Sequence, residues 1–172
     1  MAGFPDVPPV TKWFQPAGRE SRQIVELIPE GDHRASDVVS EILRLTTGAT
    51  SDLLAGQDLV HVDLSAANVL FDEEDCATAV VDWNLGLYRG HRRLALVQTR
   101  FDREWFVRSA DADETEVAAA RHLDEVLVDQ IHPDVLRVYW AYWLRHHLVK
   151  AFRSGASTVI DWQLELAESR LQ

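Results

Sequence analysis

Three polar residues, Asp63, Asn68 and Asp82, each adjoin a short apolar run in the first half of the chain. Short apolar runs bounded by polar turns predict β-strands, so these side chains are expected at strand ends and on the loops between strands. A carboxylate can accept the proton of an attacking hydroxyl, and carboxylate and amide oxygens are the hard ligands that Mg²⁺ prefers. The pattern therefore indicates a general base beside a magnesium site that is shared with substrate phosphates.

An Asp that is followed five positions later by Asn, and then by a further Asp, is the phosphoryl-transfer pattern of the protein kinases. In this chain the pattern reads His61-Val-Asp63, Asn68 and Asp82-Trp83. Because Trp follows the last Asp, where protein kinases have Phe-Gly, the stretch resembles the aminoglycoside phosphotransferase family, the small-molecule branch of the kinase-like fold. The resemblance covers about residues 57–90.

The resemblance implies a role for each of these residues. Asp63 would be the catalytic base, Asn68 and Asp82 would bind the metal, and His61 would support the catalytic loop without taking part in the chemistry. The implied cofactors are Mg²⁺ and ATP. The implied reaction is transfer of the ATP γ-phosphate to a hydroxyl of a small molecule, either an aminoglycoside-like compound or an amino alcohol.

The chain departs from the family's pattern after the Asp-Trp pair. Relatives usually continue with Gly-Asp-Pro-x-x-Asp-Leu-Ala, whereas this chain continues Gly90-His-Arg-Arg-Leu-Ala. His91 and Ala95 thus replace both expected acids. In kinase-like folds such an acid helps to hold the catalytic loop, so this support is missing here.

The residues before Asp58 contain few of the parts that a complete enzyme of this type uses. A separate lobe normally supplies a sheet, a glycine-rich loop over the ATP phosphates and a lysine that pairs with them. Lys12 is the only lysine in this segment and lies outside any clear strand, and Gly18 and Gly31 are isolated. Three explanations remain open: a fragment of a longer enzyme, a natural short form, and a remnant that binds without catalysing.

Other interpretations compete with phosphoryl transfer. The missing lobe favours a non-catalytic binding or assembly module derived from a kinase-like lobe. His61 and Asp63 also suit a metal-dependent hydrolase, although such sites usually need further His ligands. A plain β-hairpin with solvated turn carboxylates needs no function, but it leaves unexplained why Asn68 and Asp82, both poor strand formers, adjoin apolar runs.

Composition limits the fold and the partners. A chain of 172 residues with 47% hydrophobic content fits one domain with a real core. The net charge of −11 argues against a nucleic-acid or anionic-membrane surface and suits a cationic small-molecule substrate, while homo-oligomerisation is left open. Cys76 is the sole cysteine, which excludes an internal disulfide. Because neither a signal peptide nor a spanning apolar run is visible, we expect a cytoplasmic protein.

The expected fold is α+β and mostly α: a kinase-like C-terminal lobe with a small β-hairpin that carries the catalytic and metal loops. Residues 1–33 are predicted as an irregular arm with a strand at 22–28, and residues 34–172 as the lobe. A helix over 91–108 and a buried central helix, apolar on nearly every side, are also predicted. The predicted helix caps are Ser36, Asp113 with Glu116 in a capping-box position, and Ser157 or Thr158, and Pro133 is predicted at a first helical position.

Overall fold

The computed structural model describes residues 7–14, 19–49, 51–85, 87–109 and 111–172. Helices predominate and the strands form two small antiparallel sheets, so the α+β, mostly α class is confirmed. In chain order the elements are α1 (Thr11–Phe14), α2 (Arg19–Glu26), α3 (His33–Gly48), β1 (Asp58–His61), β2 (Val69–Phe71), β3 (Ala77–Val80), β4 (Leu87–Gly90), α4 (Arg93–Val107), α5 (Glu114–Gln130), α6 (Pro133–Ser154) and α7 (Ser157–Arg170), with short 3₁₀ helices at Ser51–Leu53, Ala66–Asn68 and Trp83–Leu85.

The chain forms two compact units that alternate along the sequence. The first unit comprises Met1–Val10 and Leu54–His132, and it holds both sheets together with α4 and α5. The second unit comprises Thr11–Leu53 and Pro133–Gln172, and it holds α1 to α3, α6 and α7. The predicted boundary between residues 33 and 34 lies inside the second unit.

In the first unit, β1 pairs antiparallel with β4, with Asp58 opposite Gly90. Two glycines permit the close approach of backbone segments around this sheet. A Cβ on Gly56 would overlap the carbonyl of Gly90, and a Cβ on Gly90 would lie 2.5 Å from Val10 Cγ1. Larger residues at either position would push these segments apart.

The strands β2 and β3 form a separate hairpin in the same unit. In the connection between them, the Asp72 carboxylate accepts the backbone N–H groups of Glu74 and Cys76 at 3.0 and 2.9 Å. Almost every side chain of the hairpin is exposed, and Phe71 is 56% exposed. Backbone pairing and turn geometry therefore hold the hairpin together, with little contribution from apolar burial.

The helices α4 and α5 complete the first unit through buried charged groups. Arg100 and Glu104 are 4% and 5% exposed. The Arg100 guanidinium lies 2.8 Å from the Glu104 carboxylate and 2.9 Å from that of Asp124 on α5. A second pair, Arg103 with Glu116, also joins the two helices. Because a buried charge is costly without a partner, these pairs fix how α4 and α5 meet.

The second unit is built around α6, as the sequence predicts. Its aromatic residues Tyr139, Trp140 and Trp143 are each at most 2% exposed. The Tyr139 hydroxyl donates to the Leu53 carbonyl at 2.7 Å, and the Phe14 ring packs edge-on against Trp143 with centroids 5.0 Å apart. The prediction that Pro133 opens a buried central helix is therefore confirmed.

The predicted strand at 22–28 is wrong, because α2 occupies Arg19–Glu26. Ile24 is fully buried whereas Val25 is 52% exposed, and Leu27 and Ile28 are partly buried. The buried and partly buried side chains thus recur every three to four residues, which is the period of a helix. A seven-residue apolar pattern fits both periods, and the packing of α2 against α6 decides between them.

Two of the predicted helix caps are also wrong. The carboxylate of Asp32 caps α3 by accepting a first-turn N–H at 2.9 Å, so the helix begins three residues before Ser36. Ser157 is the first residue of α7, and Ala156 precedes it without a side-chain cap. By contrast, Asp113 caps α5 as predicted, with its carboxylate 2.8 Å from the N–H of Glu116.

Although α6 is 22 residues long, none of the helices in the described ranges combines the length and apolarity needed to cross a membrane.

Candidate functional site

The predicted site residues lie on consecutive loops of the first unit. Asp63 lies in the turn after β1, and Asn68 ends the 3₁₀ helix that leads into β2. Asp82 follows β3 after a single residue, Val81. The Val81 N–H donates to the Asn68 carbonyl at 2.9 Å, which extends the β2–β3 ladder by one step. Chain pairing therefore places Asp82 immediately beyond the residue that faces Asn68.

Asn68 bonds directly to Asp63. Its Nδ2 donates to the Asp63 backbone carbonyl at 2.8 Å and lies 3.5 Å from the Asp63 carboxylate. Asn68 is only 9% exposed, whereas Asp63 is partly exposed. Because Nδ2 is used in this way, Oδ1 is the atom of the amide with the chemistry of a cation ligand. An amide oxygen beside the Asp63 carboxylate is a hard-oxygen donor set of the kind that Mg²⁺ prefers.

His61 connects the two halves of the site. It is 4% exposed; its Nδ1 lies 3.2 Å from the backbone nitrogen of Asp63, and its Nε2 lies 3.0 Å from the Val81 carbonyl. A backbone N–H can only donate, so Nδ1 accepts and Nε2 carries the proton that is donated to Val81. Both ring nitrogens are thus engaged with the backbone, which is the geometry that a supporting role requires.

Asp82 has an unusual backbone conformation. Its φ of 60° places it in the left-handed region, which few non-glycine residues adopt. Among the described residues, Asp75 in the hairpin turn is the other such case, and Asp is common in turns. The neighbours of Asp82 are held on both sides, because Val81 bonds to Asn68 and His61, and the Trp83 Nε1 donates to the Val80 carbonyl at 2.9 Å. Such strain at a fixed position is typical of functional sites.

The described residues contain no cluster of three or more His, Cys, Asp or Glu side chains that could hold a metal ion. A cation bound here would rely on the Asn68 amide and the Asp82 carboxylate, with phosphate and water oxygens as the remaining ligands. That combination is usual for Mg²⁺, which keeps several waters and is shared with substrate phosphates. Zinc, which proteins usually bind through several His or Cys side chains, fits this donor set less well than Mg²⁺ does.

Sequence reasoning missed Thr99, which lies on α4. Its hydroxyl donates to the Leu64 carbonyl at 2.7 Å and lies 3.1 Å from the Ala95 carbonyl within the helix. The bond to Leu64 ties the loop that follows Asp63 to α4. It therefore provides a support for this loop next to Ala95, one of the two positions where the resemblance to the aminoglycoside phosphotransferase pattern leads us to expect an acid. No feature of the sequence singles out a lone Thr within a helix for such a role.

The two substituted positions of the family pattern differ in environment. Ala95 is 6% exposed, whereas His91 is partly buried. Burial, followed by the charge of Arg93, lowers the pKa of His91. At neutral pH the imidazole is therefore uncharged, so it does not supply the negative charge that the aminoglycoside phosphotransferase pattern leads us to expect at this position.

Comparison with known proteins identifies no relative: no protein family, no characterised protein and no solved structure matches this chain.

Proposed function

We propose that the first unit carries a phosphotransferase-type site, which transfers the γ-phosphate of ATP to a hydroxyl of a small molecule. One observation carries the proposal: Asp63 and Asn68 bond to each other, and both connect through His61 and Val81 to the backbone next to Asp82. Kinase-like phosphoryl transfer needs a base, an amide ligand and a carboxylate ligand around one small volume. This arrangement supports the resemblance to a kinase-like lobe.

In this proposal each residue has a defined task. The Asp63 carboxylate orients the acceptor hydroxyl and takes its proton, while the bond from Asn68 Nδ2 fixes the position of Asp63. Asn68 Oδ1 and the Asp82 carboxylate hold Mg²⁺, which supplies charge neutralisation on the phosphates when it is bound. The main contribution of the protein is positioning, because this reaction needs little covalent participation by side chains.

The charge of the chain favours a cationic acceptor. The net charge is −11, and the exposed turn after β2 carries four consecutive acids, from Asp72 to Asp75. An acidic surface raises the local concentration of positively charged molecules. Aminoglycoside-like compounds and amino alcohols have this property, and they are the acceptor classes we propose.

The first test measures binding of Mg²⁺ and a non-hydrolysable ATP analogue by calorimetry. Asp82→Asn retains a residue that tolerates left-handed backbone but removes the ligand's charge, so we expect affinity for the metal–nucleotide complex to fall about tenfold or more. Asp75→Asn is the matched control, because Asp75 also has φ of 60° and is exposed; it should leave binding unchanged. Equal heats from the wild type and Asp82→Asn would contradict the assigned ligand.

A second candidate function is a non-catalytic binding or assembly module derived from a kinase-like lobe. One observation favours it: in the described residues before β1, the regular elements are helices, and only Pro9 takes part in β-bridging. Lys12 lies on α1 and is exposed, so the segment offers neither the sheet nor the buried lysine of a nucleotide lobe.

Turnover separates the two candidates. A radiolabelled-ATP assay over a panel of aminosugars and amino alcohols should show phosphate transfer that Asp63→Asn reduces about a hundredfold or more, with binding of Mg²⁺ and nucleotide retained. Binding without transfer to any acceptor would favour the non-catalytic module.

A further inference from the structure

We infer that the first unit has a second binding site, which takes a small apolar carboxylate through a cavity beside Trp83. The cavity has a volume of about 240 Å³, and its lining includes Leu59, Leu64, Val80, Trp83, Arg92 and Leu96. We refer to it as the Trp83 cavity. His61 also lines the cavity, but the inference does not depend on the proposed phosphotransferase activity, because the proposed ligand needs neither metal nor nucleotide.

The walls of the Trp83 cavity expose an unusual amount of apolar surface. Leu59 on β1, Val80 on β3 and Trp83 are 38%, 38% and 37% exposed, and all three line the same concavity. Single exposed apolar residues are common and need no explanation. Several of them around one hollow mark a ligand-binding or interaction site.

The polar atoms in this wall are already used. Trp83 Nε1 donates to the Val80 carbonyl at 2.9 Å, and both ring nitrogens of His61 are engaged by the backbone. The Trp83 and His61 rings pack edge to face with centroids 4.4 Å apart. The cavity is therefore lined mainly by carbon atoms on side chains that are already held in place. Such preorganisation lowers the entropy lost on binding.

Arg92 provides the one charged group among the lining residues. Its side chain is exposed, and its backbone N–H donates to the Asp58 carboxylate at 3.1 Å, which anchors this residue at the start of α4. Within the described part of the chain, no carboxylate forms an ion pair with its guanidinium. A guanidinium at the edge of an apolar cavity favours a ligand with a carboxylate, which it can bind through two parallel hydrogen bonds.

The volume sets the size of the ligand. Pockets for drug-sized molecules span about 300–1,000 Å³, so a cavity of about 240 Å³ suits a smaller compound with one ring and a short acidic chain. Arylalkyl carboxylates have this composition. Their ring would contact Trp83, Val80 and the leucines, and their carboxylate would reach Arg92.

The test uses 3-phenylpropionate, its uncharged amide and propionate as probes, with binding followed by saturation-transfer NMR and calorimetry in the absence of nucleotide. We expect the wild-type protein to bind the acid, to bind the amide roughly five to ten times more weakly, and not to bind propionate detectably. Arg92→Gln should abolish the preference for the acid over the amide. Arg121→Gln replaces another exposed arginine of the first unit and should leave the preference intact.

A second variant tests the apolar wall. Val80→Thr keeps the shape and strand preference of the side chain but adds a hydroxyl to the cavity. This variant should weaken the binding of the acid and the binding of the amide by a similar factor. Circular dichroism and urea unfolding would verify that each variant is folded. The inference is overturned if folded wild-type protein binds no acid at ~10 mM, if acid and amide bind equally well, or if Arg92→Gln leaves their ratio unchanged. It is also overturned if only peptides with an aromatic residue bind, since the site would then belong to a protein partner.

Discussion

At the scale of single residues, the candidate site is organised by hydrogen bonds that end on backbone atoms. His61 bonds to the backbone of Asp63 and Val81, Asn68 to the carbonyl of Asp63, and Thr99 to the carbonyl of Leu64. Residue types and spacing were enough to predict that His61, Asp63 and Asn68 lie close together. Thr99 could not be predicted, because its partner lies 35 residues away and only the packing of α4 brings the two together.

The importance of the Thr99 bond can be measured by replacing the hydroxyl with a methyl group. Thr99→Val should lower the free energy of unfolding by about 1 kcal/mol, because a partly buried carbonyl loses its donor. Thr47→Val is the matched control, since the exposed Thr47 hydroxyl donates to the Leu43 carbonyl within its own helix. Urea titration of both variants provides the comparison. Equal effects would show that the bond to Leu64 adds no stability.

At the scale of secondary-structure elements, the type of an element was predicted correctly where its apolar sequence pattern was long. The helices α4, α5 and α6 carry long patterns, α5 and α6 also have clear start signals, and all three form at the predicted positions. The segment around Ile24 is short, and its apolar residues fit a strand as well as a helix. Burial of Ile24 in the second unit selects the helix, and that information lies outside the segment itself.

The helix α6 also predicts a dependence of stability on pH. Burial is the main reason that the pKa of His146 falls to about 4 and that of His147 to about 3, with Lys150 and the neighbouring histidine adding to the effect. Both pKa values lie below the ordinary value of 6.5. At pH values between each lowered pKa and 6.5, the unfolded chain therefore binds more protons than the folded chain does. The stabilising contribution is complete above pH 6.5, and it is lost progressively as the pH falls from 6.5 to about 4 for His146 and to about 3 for His147.

We therefore expect the wild-type protein to lose on the order of 1–2 kcal/mol of stability per histidine between pH 7 and pH 5. The double variant His146→Gln, His147→Gln should have a flatter profile over this range. His122→Gln is the control, because the His122 side chain is 74% exposed, and its profile should match the wild type. Chemical unfolding at several pH values gives the measurement, and parallel profiles for the wild type and the double variant would contradict the assignment.

At the scale of the whole molecule, net charge opposes folding. Twenty-eight acidic and seventeen basic residues give the chain its charge of −11, and the mutual repulsion of a strongly charged surface destabilises the compact state. Raising NaCl from about 10 to 300 mM shortens the screening length severalfold, and we expect the melting temperature to rise by roughly 2–5 °C.

A charge-reversal variant serves as the control for this prediction. Glu73→Lys with Glu74→Lys changes two exposed residues of the turn after β2 and brings the net charge to −7. The rise in melting temperature with salt should be smaller for this variant. An equal rise in both proteins would mean that salt acts by another route, such as ion binding at one site.

The membership of the two units, with distant segments of the chain in each, was the part of the fold that the sequence could not reveal. Composition and length predict a core, but they do not show that Thr11–Leu53 and Pro133–Gln172 share one. The contacts that join these segments include Arg34 with Glu168, 134 residues apart, and Tyr139 with Leu53, 86 residues apart. Pairings at such separations leave no local signal, because each helix has an apolar face that many partners could cover.

This arrangement has a consequence for synthesis on the ribosome. The apolar face of α3, which includes Val39 and Ile42, emerges well before α6 and α7 are translated. The roughly eighty residues of Leu54–His132 come in between, and at ~5–20 residues per second their translation takes on the order of 4–16 s. During that interval the nascent helix α3 lacks the helices that cover it in the folded protein. The growing chain therefore exposes an apolar surface to which a ribosome-associated chaperone could bind.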